Sequence, residues 1–354
     1  MTLFTARLRK VDIFVDWTRC RRVLETVAPF FLRWSRPGAC QSPKGLGDIS
    51  VNMLEWLATP RGRRCRLSLA TPAVSVCVPA YQAGAHLATA IRSVLTQNFA
   101  DFELVVLDNA STDGTSDIVG SFADSRVRLV RNETTISMTA NWNLAVELCR
   151  APLIKLLCAD DLLRPDCLRI QHQVMAANPR LSMTVCRRDF LDAAGRRLAT
   201  ARGLSGLLGE RDRVSVARRV IRHGGNPLGE PGSVLFRQSA FTATGGFVED
   251  MNLVLDIHLW LRLLAHGPMF GVADSLAGFR VSGGSLSGRS HRAGYQQQYV
   301  CNAEVVANPL YQVRELDRVI GAAAAPLAQL RRRGLFSLAS LVHQPHSARQ
   351  SRSA

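Results

Sequence analysis

Short apolar, β-branched runs that alternate with helix-spaced segments constrain this 354-residue chain more than any other feature. "AVSVCVPAY" (73–81), the start of "FELVVLDNASTDGT" (102–115), "VRLVRN" (127–132) and "PLIKLLCADD" (152–161) each read as a strand. Between them, residues 83–97 place Leu87, Ile91, Val94 and Leu95 at helical spacing. Residues 116–123 suit a short helix, and 138–149 a longer one. Pro165 opens a further helix at the first-turn position where proline fits. Near-continuously apolar strands separated by helices predict an α/β fold with a Rossmann-like, mostly parallel sheet covered on both faces. Ligands of such sheets bind beyond the carboxyl ends of the strands. Here those ends carry Pro79-Ala80-Tyr81, Asp108-Asn109-Ala110 and Ala159-Asp160-Asp161.

The net charge of +16 suggests nucleic acid until it is divided along the chain. Residues 1–70 hold 13 Lys/Arg against 5 Asp/Glu, residues 302–354 hold 7 against 3, and residues 71–301 hold 24 against 20. The basicity lies mostly in the flanks, which fit solvated tails or contact with an anionic membrane, and a near-neutral centre argues against nucleic acid. No apolar run approaches the ~20 residues that span a bilayer. With no secretory signal evident either, the expectation is a cytoplasmic protein, peripheral at most at the inner face of a membrane. Nine cysteines, an odd number with no CxxC pair, predict buried reduced thiols rather than disulfides or a zinc site.

Three groups of side chains could carry chemistry. Asp108, directly after "ELVVL", is placed to accept hydrogen bonds from a ligand, while Ser111 to Thr115 equally suit a turn and helix cap. Asp160 and Asp161 repel one another unless donors or a cation hold them, and a hard divalent ion needs only one or two such ligands. The alternative is that Asp161 caps the helix near Pro165. Asp256 stands at the start of "LDIHLWLRLLAHG" (255–267), where Leu255, Leu259, Trp260 and Leu263 have helical spacing, and it could be a simple first-turn acid. "GNPLGEPGSVLFR" (225–237) is a Gly/Pro-rich turn leading into a strand.

Taken together, "VSVCVPAY", "ELVVLDNASTDGT", "ANWNLAVELCRAPLIKLLCADDLLRPDCL" and "GGFVEDMNLVLDIHLWLRLL" resemble the inverting family-2 glycosyltransferases with the GT-A fold. The resemblance covers about residues 73–290. It implies that Pro79, Ala80 and Tyr81 flank a nucleobase that Asp108 hydrogen-bonds, with Asn141, Asp160 and Arg280 also on the nucleotide-sugar. It implies a Mg²⁺ or Mn²⁺ site at Asp160 and Asp161, Asp256 as general base, and an acceptor site at Glu230, Pro231 and Trp260. "FRVSGGSLSGR" (279–289) resembles a loop that closes over the diphosphate. The chain departs from the pattern at Ala159, where many members carry a third acid, and at Ser282, where many carry histidine.

The implied organisation is a basic extension over 1–70, a single catalytic domain over 71–290, helices over 291–335 and a disordered tail over 336–354. Within the catalytic domain, 71–180 would bind the nucleotide-sugar and 181–290 the acceptor. The implied reaction moves a sugar from a nucleoside-diphosphate sugar, UDP-linked by expectation, to a hydroxyl of a glycan or lipid-linked saccharide, with inversion. The rival readings are a non-catalytic nucleotide- or glycan-binding relative and a glycoside hydrolase, which also needs two carboxylates.

Overall fold

The computed structural model describes residues 7–8, 11–12, 71–281 and 291–342. The chain divides into two compact units, Met1–Leu69 and Ala70–Ala354. In the first, strands β1 (Arg7–Leu8) and β2 (Val11–Asp12) pair antiparallel, and the remainder of the expected extension lies outside the described residues.

The second unit is built on a ten-stranded sheet. Its first half contains β3 (Val74–Ala80), β4 (Phe102–Asp108), β5 (Val127–Arg131) and β6 (Leu153–Leu156), joined through helices α1 (Leu87–Leu95), α2 (Thr115–Gly120) and α3 (Met138–Glu147). The order is β6-β3-β4-β5 and every pairing is parallel. The chain therefore steps from β3 to one side, then returns to the other side of β3 at β6. That reversal opens a crevice at the carboxyl ends, the usual place for a ligand in such sheets.

All seven residues of β3 and all seven of β4 are buried, and their side chains alternate between two separate cores. Cys77, Val105, Leu107, Ile154 and Leu156 belong to one core; Val76, Val78, Leu104 and Val106 belong to the other. A period of two with both faces apolar is what a helix-covered strand requires. Leu87, Ile91 and Val94 of α1 close the second core, each worth about 1.5–3 kcal/mol of buried apolar surface.

The helix expected over 83–97 begins at Leu87 because the preceding backbone is taken by the next loop. Gln82 N–H donates to Ser111 Oγ (3.0 Å), Ala83 N–H to Thr115 Oγ1 (3.0 Å) and Gly84 N–H to Asp113 Oδ2 (2.8 Å). Likewise α4 (Cys167–Ala177) starts two residues after Pro165, with Asp166 at its N-cap position.

The second half of the sheet is mixed. A short β7 (Leu162–Leu163) precedes α4; β8 (Met183–Leu191), β9 (Arg197–Arg202) and β10 (Gly209–Arg211) follow it. After α5 (Arg213–His223) come β11 (Val234–Arg237), α6 (Gln238–Thr244), α7 (Leu255–Leu263) and β12 (Met269–Arg280). β11 lies antiparallel between β6 and β8, and β12 runs parallel to β8. Residues 282–290, including the Ser282 departure and most of the expected closing loop, lie outside the described residues; Phe279 and Arg280, read as the start of that loop, end β12.

Helices α8 (His291–Ala307) and α9 (Glu315–Val342) follow, so the chain stays helical past the expected boundary at 335; residues 343–354 lie outside the described residues. Asp317 on α9 is buried and holds Arg218 and Arg222 of α5. Leu316, Val319, Leu327 and Leu330 of the same helix are exposed. Among the described residues no helix is long and apolar enough to cross a membrane.

At the opposite end of the strands from the crevice, buried Glu103 joins three segments. It accepts from Ser75 Oγ (2.6 Å), Arg150 N–H (2.7 Å) and Arg150 Nε (2.8 Å). Burial alone would raise its carboxyl, but these donors outweigh it and the group sits below its ordinary range. A depressed folded-state value contributes stability that is present above the unfolded carboxyl's range and lost as pH falls through the folded one. Glu103→Gln is expected to lower unfolding stability by about 1–3 kcal/mol at neutral pH, and the gap to wild type should close as denaturation curves are taken to acid pH.

Candidate active site

The carboxyl ends of β3 and β4 are tied into one platform. Asn109 N–H donates to Ala80 O (2.9 Å), and the loop after β4 holds the loop after β3 through the Ser111, Asp113 and Thr115 contacts. Gln82 (φ 48°) and Ala110 (φ 56°) both occupy the left-handed region, an unfavourable place for residues with a Cβ. Two strained residues facing one another across the strand ends mark an over-determined site.

Of the residues expected to flank a nucleobase, Pro79 and Ala80 are buried, whereas Tyr81 is 56% exposed. Asp108 is fully buried and already occupied: Oδ1 accepts from Ser111 N–H (3.0 Å), and Oδ2 from Ser116 Oγ (2.5 Å) and Arg131 (2.8 Å). Burial raises its carboxyl less than these donors lower it, so it stays ionised. In this arrangement Asp108 braces the loop that would meet a base, and touching the base would require it to release one of those donors. Asn141 plays a similar part, since it is buried and accepts from Asn132 Nδ2 (3.0 Å), which also reaches Asn109 Oδ1 (2.8 Å).

Beside this platform, the turn after β6 gathers the acids. Ligand atoms of Cys158, Asp160 and Asp161 lie within 4.8 Å of one another. Asp161 is 2% exposed, and its Oδ1 accepts from Arg280 N–H (2.9 Å), so it anchors the turn to β12 rather than capping α4. Burial pushes the Asp161 carboxyl well up, and the neighbouring Asp160 pushes it further. Burial also raises Asp160, countered in part by His86 and Arg280. His86 precedes α1 and was not among the expected site residues; burial and Arg280 lower its imidazole, and Asp160 opposes them.

Arg280, expected on the nucleotide-sugar, serves in this structure as a clasp. It is 3% exposed; its Nε donates to Asp160 O (2.9 Å), and its Nη1 to Asp192 O (3.1 Å) and Ala193 O (2.8 Å). One guanidinium thus joins the acid-bearing turn to the end of β8.

Asp256 enters from the first turn of α7, half-buried, with Oδ2 accepting from Asn226 Nδ2 (2.8 Å) and Oδ1 from Ile257 N–H (2.8 Å). The Asn226 side chain also shapes the Gly229–Glu230–Pro231 turn, since its Oδ1 accepts from Leu228 and Gly229 N–H. Glu230 pairs with Arg188, which no sequence signal marked, and Pro231 is buried at the start of a 3₁₀ turn. Gly229 (φ 114°) is required here: an added Cβ would stand 3.0 Å from the Arg188 guanidinium and 3.1 Å from Ser233 Oγ. Trp260, expected on the acceptor side, lies in the core. It is fully buried beside Phe236 and donates from Nε1 to Gly229 O (3.1 Å), so it supports the acceptor-side turn from below.

These parts converge. The Cys158 thiol, raised well above its ordinary value by burial, is raised further by Asp161, Asp160, Asp256 and Glu230. Acids from three separate segments therefore act on one thiol at the carboxyl end of β6.

The Glycosyl transferase family 2 model matches residues 75–243, the segment that builds this platform and turn. An uncharacterized protein of Mycobacterium tuberculosis, MT1568, is 31% identical over 214 residues, spanning 59% of this chain and 67% of that protein. The chain belongs to glycosyl transferase family 2. It is a nucleotide-sugar-dependent glycosyltransferase of GT-A fold, and the hydrolase alternative falls. The Escherichia coli UDP-Glc:alpha-D-GlcNAc-diphosphoundecaprenol beta-1,3-glucosyltransferase WfgD is 34% identical over 105 residues, 30% of this chain and 42% of that enzyme. The solved mannosyltransferase PcManGT from Pyrobaculum calidifontis, in complex with GDP-Man and Mn²⁺, superposes with a TM-score of 0.51 at 19% identity. That match covers 84% of this chain and 83% of the other, and it shows the shared fold.

Replacing Arg280 by lysine keeps a positive charge but removes the planar fork that reaches three carbonyls. Arg280→Lys is expected to lower stability by about 1–3 kcal/mol in denaturant unfolding. Calorimetry with a nucleoside diphosphate should also show weaker binding, because the Asp160–Asp161 turn loses its clasp.

Proposed function

We propose that this glycosyltransferase uses a UDP-sugar donor and transfers its sugar, with inversion, to a hydroxyl of a glycan or lipid-linked saccharide. The observation that carries the reading is the grouping of Asp160 and Asp161 with Cys158 on the turn after β6, close enough to Asp256 and Glu230 for all four acids to act on that thiol. A UDP donor and a diphospholipid-linked acceptor are both named for the relative WfgD. Catalysis is assigned to the 71–290 segment, with donor contacts mainly from 71–180 and acceptor contacts mainly from 181–290.

Inversion requires an acceptor hydroxyl to attack the anomeric carbon in line with the departing nucleoside diphosphate. Asp256 is the base in this scheme. Asn226 holds one carboxylate oxygen and the Ile257 N–H the other, so the group is oriented before substrate arrives. A hydroxyl becomes acidic only as attack proceeds, and one placed carboxylate suffices to take its proton, a contribution of about 10²–10⁴-fold. Tyr81, exposed at the end of β3, offers a ring against the base, while Asp108 and Asn141 keep the adjoining loop rigid. Glu230, fixed by Arg188, borders the acceptor side.

The donor set at Asp160 and Asp161 fits a divalent cation, because two carboxyls forced together in a buried turn are stabilised by an opposing charge. When bound, Mg²⁺ or Mn²⁺ supplies Lewis-acid neutralisation of the leaving diphosphate. The solved relative PcManGT was captured with Mn²⁺.

The exposed apolar row on α9 extends the same reading to a surface. Leu316, Val319, Leu327 and Leu330 carry no charge, and the exposed Arg331 follows them. Together with the excess positive charge of residues 302–354, this suits an anionic lipid surface carrying the acceptor. Leu327→Glu with Leu330→Glu is expected to abolish flotation with anionic vesicles while leaving transfer to a soluble acceptor intact; unchanged flotation would remove the membrane from the scheme.

Asp256→Asn is expected to reduce kcat by about 10²–10⁴-fold while UDP affinity, measured by calorimetry with Mn²⁺, stays near that of wild type. Retention of full transfer activity would remove Asp256 as base. Absence of any divalent-dependent nucleotide binding would overturn the donor reading itself.

A further inference from the structure

We infer that Cys158 is a metal ligand, and that its sulfur biases this site toward thiolate-tolerant ions such as Mn²⁺, Co²⁺ or Zn²⁺ over Mg²⁺. The inference rests on the metal-dependent reading above and adds a residue whose role the acid pair alone does not supply. The sequence offers Ala159 where a third acid would stand, and a methyl group cannot ligate. One residue earlier, the Cys158 thiol lies with its sulfur within 4.8 Å of carboxylate oxygens of both Asp160 and Asp161. Ligands of one ion, at about 2.3 Å for sulfur and about 2.0–2.2 Å for oxygen, necessarily sit within that mutual separation.

Cys158 also differs from the other free cysteines of the described chain. Cys77, Cys149, Cys167, Cys186 and Cys301 are buried, whereas Cys158, its thiol enclosed but its residue partly exposed, stands on the turn that leaves β6. A cysteine needed only for packing would be expected within one of the two cores, and Cys158 belongs to neither. On coordination the thiol proton passes to solvent and a sulfur–metal bond forms, with no change of oxidation state. Mg²⁺ demands octahedral oxygen ligands, while thiolate suits softer ions.

The test uses the full chain with Co²⁺ and UDP. Wild type is expected to show a near-ultraviolet thiolate-to-cobalt absorption that saturates with calorimetric binding, and C158A and C158S to lack it. Both variants should still bind Co²⁺ through the aspartates, at least about tenfold more weakly. C158D should restore affinity and move the Mn²⁺-to-Mg²⁺ preference toward Mg²⁺ by about tenfold or more. X-ray absorption at the cobalt edge of wild type, which needs no variant, should show one sulfur neighbour. Saturable Co²⁺ binding without the band or the sulfur neighbour would overturn the role of Cys158 and leave the donor reading standing. The same band in C158A would also overturn it. Failure of wild type to bind any divalent ion with UDP would overturn both.

Discussion

Like charges crowded at the edge of an apolar sheet must each be held by a donor, and the carboxyl edge of this sheet is arranged around that constraint. Asp108 is met by Ser111, Ser116 and Arg131, Glu230 by Arg188, and Asp256 by Asn226. Asp161 takes the Arg280 backbone N–H while the Arg280 side chain binds the carbonyls of the same turn and of the 192–193 turn. Removing any one partner would leave a carboxylate in low dielectric, which is costlier than never having placed it there. The arginines therefore serve as framework, although their type and position suggest ligand contacts.

That substitution of roles explains where sequence reading succeeded and where it did not. β3, β4 and β6 were legible because residues buried on both faces must be apolar throughout, and α1 because Leu87, Ile91 and Val94 share one helical face. Asp160, Asp161 and Asp256 were picked out together through the family resemblance, since position alone also suits a helix cap or a first-turn acid. Strands β8 and β12 were not. β8 carries Arg187, Arg188 and Asp189 in its interior, and β12 changes register around Ser275, so neither shows a sustained period. The charges that hide β8 in the sequence are the ones that serve the site, through the Arg188–Glu230 and Arg164–Asp189 pairs.

Trp260 and Arg280 teach the complementary lesson. Both lie in segments with strong functional resemblance, yet burial decides what each can touch. An indole that is fully buried can act only through what it holds, here the Gly229 carbonyl. Asn226 then connects that turn to Asp256, so core packing and the Asp256 carboxylate share one path of hydrogen bonds. No spacing rule reveals such a path, because Asn226 and Asp256 are brought together by the fold alone.

The two halves of the cleft are consequently made to different tolerances. Where the donor is proposed to bind, the loops after β3 and β4 are cross-linked by four hydrogen bonds and include two residues in the left-handed region, an arrangement suited to a fixed ligand surface. On the other side, Glu230 and the Gly229 turn rest on a few partners, and changes there would alter the cavity without disturbing the parallel core. In the proposed scheme that division places rigidity beside the nucleotide and leaves the acceptor side freer to vary.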